Sequence, residues 1–209
     1  MLFACALLAA VISFSIMAPP TTLYMFSEAR RLGGVDRQWV ALEEVSPVMI
    51  RSIMAAEDAD FCRHWGFDIP AIRAALRDGA RRGASTISQQ MVKNLFLWQG
   101  RSWTRKALEG VITPLVEAVW SKRRIMEVYL NVIEFDEGVF GIAAAARHYF
   151  QLSPSDLNAL QAARLAMVLP APKHRDAARP TEAQRRRTAA IMEGAATLAA
   201  DGRAICATS

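Results

Sequence analysis

WTRKALEGVITPLVEAVWSKRRIMEVYLN, residues 103–131, is helical by its spacing. Leu108, Ile112, Leu115 and Val119 recur at intervals of three and four, the period of one helix face. Pro114 predicts a kink in that helix. Ser121 has the chemistry of an N-cap for a second helix over KRRIMEVYLN. The same pattern continues outward on both sides. Ser46-Pro47 opens a helix through Ile50, Ile53 and Met54 toward Glu57. Residues 70–80 and 88–97 follow as helices, separated by a loop around Arg81-Arg82 that Gly79 and Gly83 bracket. Residues 100–102 form a turn, and residues 138–149 are an Ala-rich helix. Ser153-Pro154 opens a further helix that Pro170 and Pro172 stop. Strand-like alternation is scarce and no repeat occurs, so the expected fold class is mainly α.

The chain has 209 residues, 53% hydrophobic and 22% charged, with 25 Lys+Arg against 20 Asp+Glu. This suits one domain with a sizeable core and excludes disorder, collagen and a polytopic membrane protein. Residues 1–18, MLFACALLAAVISFSIMA, carry no charge and end at Pro19-Pro20. A membrane span needs roughly 17–25 apolar residues, so this segment is read as a single transmembrane anchor. The alternative is a cleaved signal peptide, which lacks its basic flank and would be cut immediately before a proline. Residues 19–45 are read as a juxtamembrane connector, 46–172 as the domain and 173–209 as a tail that completes it. Of the three cysteines, Cys5 falls in the apolar segment, leaving Cys62 and Cys206 to form at most one disulfide. Three scattered histidines and no CxxC pair argue against a structural metal cluster.

Charge is segregated. Residues 36–70 hold seven acids against three bases, and residues 73–124 hold eleven Lys/Arg against three acids. A basic middle beside an acidic opening suggests an anionic ligand presented to a carboxylate; the alternative is a solvated helix face. An anchored, outward-facing domain argues against nucleic acid as the partner.

Three constellations have the residue types that chemistry needs. In AAEDADFCRHWGFD, Glu57 ends an apolar helical run near Phe61, Trp65 and Phe67. Desolvation there would raise its pKa toward that of a general base; the alternative is an exposed helix end. His64 either orients Glu57 or is a hydrogen-bonded structural histidine. In GASTISQQMVKN, residues 83–94, small residues permit close backbone approach. Ser85, Gln89, Gln90, Lys93 and Asn94 crowd polar groups suited to sugar hydroxyls and phosphate oxygens, with Gln89 and Lys93 at i,i+4. In TRKALEG, Arg105, Lys106 and Glu109 form either an ordinary intrahelical ion pair or a diphosphate-holding cluster.

The ordered series EDADFCRHWG, GASTISQQMVKN, RKALE, KRRIMEVYLN and GVFGIAAAARHYF, spread over about residues 45–170, resembles the peptidoglycan glycosyltransferases of bacterial cell-wall synthesis, glycosyltransferase family 51. NLFLWQGRSW at 94–103 and the lack of room for a transpeptidase domain after residue 170 point to its monofunctional biosynthetic branch. The resemblance implies an α-rich, lysozyme-like domain that polymerises lipid II into glycan strands. Glu57 matches the family's base, which deprotonates the 4-hydroxyl of the acceptor N-acetylglucosamine. Glu109 matches the second glutamate, beside the departing undecaprenyl diphosphate, acting directly or through a divalent cation, Mg or Mn. Ser85, Gln89, Gln90, Lys93, Arg105 and Lys106 map to the donor and diphosphate subsite, and Asp58, Phe61, His64 and Asn94 to supporting positions. Implied partners are lipid II, the growing lipid-linked strand, the membrane and other cell-wall synthases. The implied location is the inner membrane with the domain on the periplasmic side. Ala84, Ser88 and Met91 depart from the family's frequent residues without removing a charge. Two other classes compete: a glycan-cleaving lysozyme or lytic transglycosylase, and a non-catalytic partner of wall synthesis.

Overall fold

The computed structural model describes residues 2–79, 83–100 and 102–208. In chain order the helices are α1 (Leu2–Phe14), α2 (Leu23–Leu32), α3 (Pro47–Glu57), α4 (Ile69–Arg77), α5 (Ile87–Phe96) and α6 (Trp103–Val119). They continue as α7 (Lys122–Val132), α8 (Ile142–Phe150), α9 (Ala159–Val168), α10 (Glu182–Ala200) and α11 (Ile205–Thr208). Three short strands, β1 (Asp36–Arg37), β2 (Glu134–Asp136) and β3 (Val139–Phe140), form one small sheet in the order β1-β3-β2. Arg81 and Arg82, expected in a loop, and Arg101, expected in a turn, lie outside the described residues.

Side-chain caps set where most helices begin. Thr22, Asp68, Thr86, Ser102, Ser121, Asn158 and Thr181 each accept a hydrogen bond from the backbone N–H three residues on, starting α2, α4, α5, α6, α7, α9 and α10. Helix α3 starts differently: Pro47 occupies its first turn, while Ser46 makes no side-chain cap. Pro114 sits inside α6 without ending it.

The core is built around two helices. Met49, Ile53 and Met54 of α3 are fully covered, and α3 packs against α9 and α10. Met91 and Val92 of α5 are equally covered, with α5 between α6 and α7. Phe61, Tyr129, Phe135 and Phe140 fill the space between these layers with no exposure. Both buried ends of this arrangement, the C-terminus of α3 and the N-terminal half of α5, carry polar residues.

The terminal segments are part of this body. Within residues 19–45, Met25 of α2 is buried, the Tyr24 ring meets the edge of Phe140, and β1 pairs in parallel with β3. At the other end, Cys206 of α11 is bonded to Cys62, with the Cα atoms 5.8 Å apart.

The transmembrane helix expected over residues 1–18 is not supported by the described residues. Helix α1 has 13 residues, about 20 Å at 1.5 Å per residue against a hydrocarbon core of about 30 Å. Among the described residues, no helix is long and apolar enough to cross a membrane. Its end is fixed by side chains of the domain: Trp120 Nε1 donates to the Val11 carbonyl at 2.8 Å, and Arg124 donates to the Phe14 and Met17 carbonyls.

Candidate active site

Glu57 is the last residue of α3. Its Oε2 accepts a hydrogen bond from Gln90 Nε2 at 2.8 Å, and Gln90 Oε1 in turn accepts from the Tyr129 hydroxyl at 3.0 Å. Burial pushes the Tyr129 phenol well above its ordinary value, so it stays a donor. Burial also raises the Glu57 carboxyl, against the opposing pulls of Gln90, Arg187, Arg175 and Lys93. One neutral amide donor and a partly water-free setting leave Glu57 able to accept a proton.

The loop after Glu57 is fastened to α5 and α6. Asp58 is buried; its carboxylate takes the Ile87 N–H at 2.9 Å and His64 Nε2 at 2.9 Å. Of the two roles open to His64, the structure shows the hydrogen-bonded structural one: it holds Asp58, not Glu57. Thr86 Oγ1 donates to the Gly66 carbonyl at 2.7 Å. Gly66 has φ +79°, and a Cβ there would lie 2.6 Å from Thr113 Cγ2, so a glycine is needed on both grounds. Phe61 is fully buried beneath the Lys122 ammonium, 4.5 Å from the ring centroid.

On α5 the polar residues divide. Gln89 is buried and its Oε1 accepts the Thr86 N–H at 3.2 Å, closing a capping box. It therefore serves the helix start, whereas Gln90, Lys93 and Asn94 line a cleft of about 370 Å³ together with Tyr129 and Glu134. Glu57, Asp58, Ser85 and Thr86 line a second hollow of about 270 Å³. The hydrogen bond from Gln90 to Glu57 joins the two. Asn94 is tied to the Gln90 carbonyl at 2.9 Å and accepts from Gln99 at 3.0 Å.

The third group sits in the first turns of α6. Glu109 is 2% exposed. Its Oε2 accepts from Arg105 Nη1 at 2.9 Å, and its Oε1 takes the Lys106 ammonium. Lys106 Nζ reaches Ser85 Oγ at 3.2 Å. Lys93 stands between the groups: burial and then Arg105 lower its pKa, while Glu109 and Glu57 raise it. Its ammonium has no hydrogen-bonded or ion-paired partner among the described residues. A partly buried cation without a partner is stabilised when an anion arrives.

A divalent cation does not fit this donor set. Both Glu109 oxygens already hold cations, whose charge opposes a dication, and Mg or Mn needs several oxygen ligands in near-octahedral array. Among the described residues, no group of three His, Cys, Asp or Glu could hold a metal.

Two participants escape a reading of the sequence. Glu117, two turns beyond Glu109, is buried and takes Ser88 Oγ and Lys122 Nζ, tying α5, α6 and α7 together behind the site. The polar row Glu109, Thr113 and Glu117, at i,i+4,i+8, is the signal that marks it. Arg187, from α10, donates to the Ala56 carbonyl at 2.9 Å, and nothing in its local sequence points there.

The structure is a helical domain in which a partly buried carboxylate with a raised pKa, Glu57, lies in the field of Lys93, which is also in the field of Arg105, Lys106 and Glu109. The chain belongs to the transglycosylase family, whose model matches residues 26–196. It is 57% identical over 196 residues to the biosynthetic peptidoglycan transglycosylase of Jannaschia sp. (strain CCS1), covering 94% of this chain and 82% of that one. Proteins of the same name from Brucella suis biovar 1 (strain 1330) and Pseudomonas fluorescens (strain SBW25) are 49% and 46% identical, covering 89% and 96% of this chain and 84% and 88% of theirs.

Proposed function

We propose that this protein polymerises lipid II into β-1,4-linked glycan strands of the bacterial cell wall, releasing undecaprenyl diphosphate. The observation that carries the reading is the unpaired Lys93 ammonium between Glu57 and the Arg105–Lys106–Glu109 cluster. It asks for an anion next to a base, and a sugar diphosphate with an attacking hydroxyl supplies both.

Glu57 takes the proton from the 4-hydroxyl of the acceptor N-acetylglucosamine as that oxygen attacks the anomeric carbon of the donor N-acetylmuramic acid. The new C–O bond forms with inversion, and the bond from the anomeric carbon to the diphosphate oxygen breaks. Negative charge grows on the departing diphosphate, where Lys93, Arg105 and Lys106 meet it. Preorganised charges of this kind stabilise a transition state by several kcal/mol. Glu109 touches no proton in this scheme; it fixes the two cations in place. Gln90 and Tyr129 orient Glu57, Asp58 and His64 hold the loop beside it, and Ser85 steadies Lys106. Gln89 acts through the α5 cap.

Residues 1–18 attach the domain to the membrane that carries the lipid-linked substrate. Exposed Leu8, Ile12 and Ile16 support this. The Cys62–Cys206 disulfide supports an oxidising compartment, the periplasmic side of the inner membrane. The growing lipid-linked strand and other cell-wall synthases complete the setting.

The test is incubation of detergent-solubilised protein with fluorescent lipid II, followed by gel separation. A ladder of polymers is expected. No ladder, with loss of turbidity from purified peptidoglycan instead, would replace synthesis by glycan cleavage, a reaction that needs paired carboxylates and no diphosphate clamp.

A further inference from the structure

Arg185, Arg186 and Arg187 look alike in sequence, three consecutive bases on one helix, and as a run they read as a solvated face. Their surroundings differ. Arg185 and Arg186 both pair with Glu182 of their own helix, at 2.8 Å and 3.3 Å. Arg187 turns to α3, where its Nη2 donates at 2.9 Å to the carbonyl of Ala56, the residue before Glu57. The two helices are close enough for this because Gly194 faces Ala55; a Cβ on Gly194 would lie 3.1 Å from the Ala55 Cβ. Arg175, in the segment leading to α10, donates to the Met167 carbonyl at 2.7 Å. Among the described residues, neither guanidinium is paired with a carboxylate, and both favour the ionised form of Glu57.

The groups that face Glu57 are therefore Asp58 beside it, Gln90 and Lys93 from α5, Tyr129 from α7, and Arg175 and Arg187 from the C-terminal segment. Of the three cations, Lys93 is the one that a bound diphosphate would neutralise. Its help to Glu57 falls when substrate binds, at the moment a base is needed. In the proposed scheme the diphosphate meets Lys93, Arg105 and Lys106, not the two arginines, whose contacts are with the Met167 and Ala56 carbonyls.

We propose that Arg187, seconded by Arg175, is a positioning residue for the base: it holds the end of α3 by the Ala56 carbonyl and supplies positive charge beside Glu57 that the substrate does not cancel. This rests on Glu57 being the base.

The test is the pH profile of kcat/KM for lipid II polymerisation by the full, disulfide-bonded chain, with Arg187→Gln, Arg187→Lys, Arg175→Gln and Glu57→Gln beside the parent. Arg187→Gln is expected to move the acidic limb upward by about half to one pH unit, a loss of roughly three- to tenfold at pH 6 that recovers by pH 8.5. Arg187→Lys keeps the parental limb, and Arg175→Gln moves it less, in the same direction. Raising the salt narrows the gap between parent and Arg187→Gln, because the exposed guanidinium is screened. An Arg187→Gln loss equal at every pH, with Glu57→Gln inactive, overturns this proposal and leaves the base assignment standing. A fully active Glu57→Gln overturns both. If Arg187→Gln does not fold, an unmoved limb in Arg175→Gln is the overturning result.

Discussion

The end of α3 and the first turns of α6 each carry a carboxylate, one partly buried and one buried, and they hold it in opposite ways. Glu57 receives one hydrogen bond from a neutral amide, and burial raises its pKa. Glu109, which is 2% exposed, is gripped by a guanidinium and an ammonium. In the proposed scheme the neighbours, not burial alone, separate the base from the clamp. Glu109 has its charge matched by two cations, whereas Glu57 has a single amide donor. The same contrast explains Lys93, the cation between them that neither carboxylate neutralises by contact.

The contrast can be broken by exchanging each acid for its amide. Glu57→Gln is expected to lower polymerisation by about 10³–10⁴-fold while retaining affinity for a non-reacting lipid diphosphate, measured by fluorescence titration. Glu109→Gln is expected to lower turnover by about 10²–10³-fold and to weaken that affinity as well, because Arg105 and Lys106 lose the group that aims them. If both amides gave the same split between binding and turnover, the two sites would not be different in kind.

The disulfide offers a sharper test of the α3 side. Cys62 lies in the loop after Glu57, and its partner is 144 residues away. Closing so long a loop restricts the unfolded chain, so Cys62→Ser with Cys206→Ser is expected to lower stability by about 2–4 kcal/mol in urea unfolding. Hydrogen exchange should quicken around residues 58–66 more than around 103–113. Equal quickening on both sides would mean that the disulfide braces the whole domain.

The smallest effect is a pH signature. Glu57 holds its proton more tightly folded than unfolded, so its contribution to stability is full below the ordinary value of 4.5 and is lost as pH rises through the higher folded value. Gln does not ionise. Glu57→Gln should therefore match the parent in thermal midpoint near pH 4 and exceed it near pH 8. A lower midpoint near pH 8 would show that the Glu57–Gln90 hydrogen bond outweighs the burial of charge.

What could be read from the sequence follows from distance along the chain. Ser121 begins a helix as its chemistry demands, and Arg105, Lys106 and Glu109 lie within four residues on one helix, so local spacing was enough to group them. Gln89 and Gln90 show the limit. Adjacent positions on a helix point about 100° apart, which sends one to the Thr86 cap and the other to Glu57, and the polar stretch itself does not say which. The cysteine count left Cys62 and Cys206 as the one candidate disulfide, and they pair. The Tyr129–Gln90–Glu57 chain and the reach of Arg187 to Ala56 each join residues from separate helices or loops. No local pattern encodes those pairings. The contacts of Trp120 and Arg124 with the carbonyls of Val11 and Phe14, more than a hundred residues away, likewise have no local signal.

The most direct measurement is the polymerisation of fluorescent lipid II by the parent chain, Glu57→Gln and Glu109→Gln side by side, with titration of a non-reacting lipid diphosphate against each. The account predicts a ladder from the parent alone, undiminished diphosphate binding in Glu57→Gln and weakened binding in Glu109→Gln. A ladder from Glu57→Gln, or equal loss of binding in both variants, would contradict it.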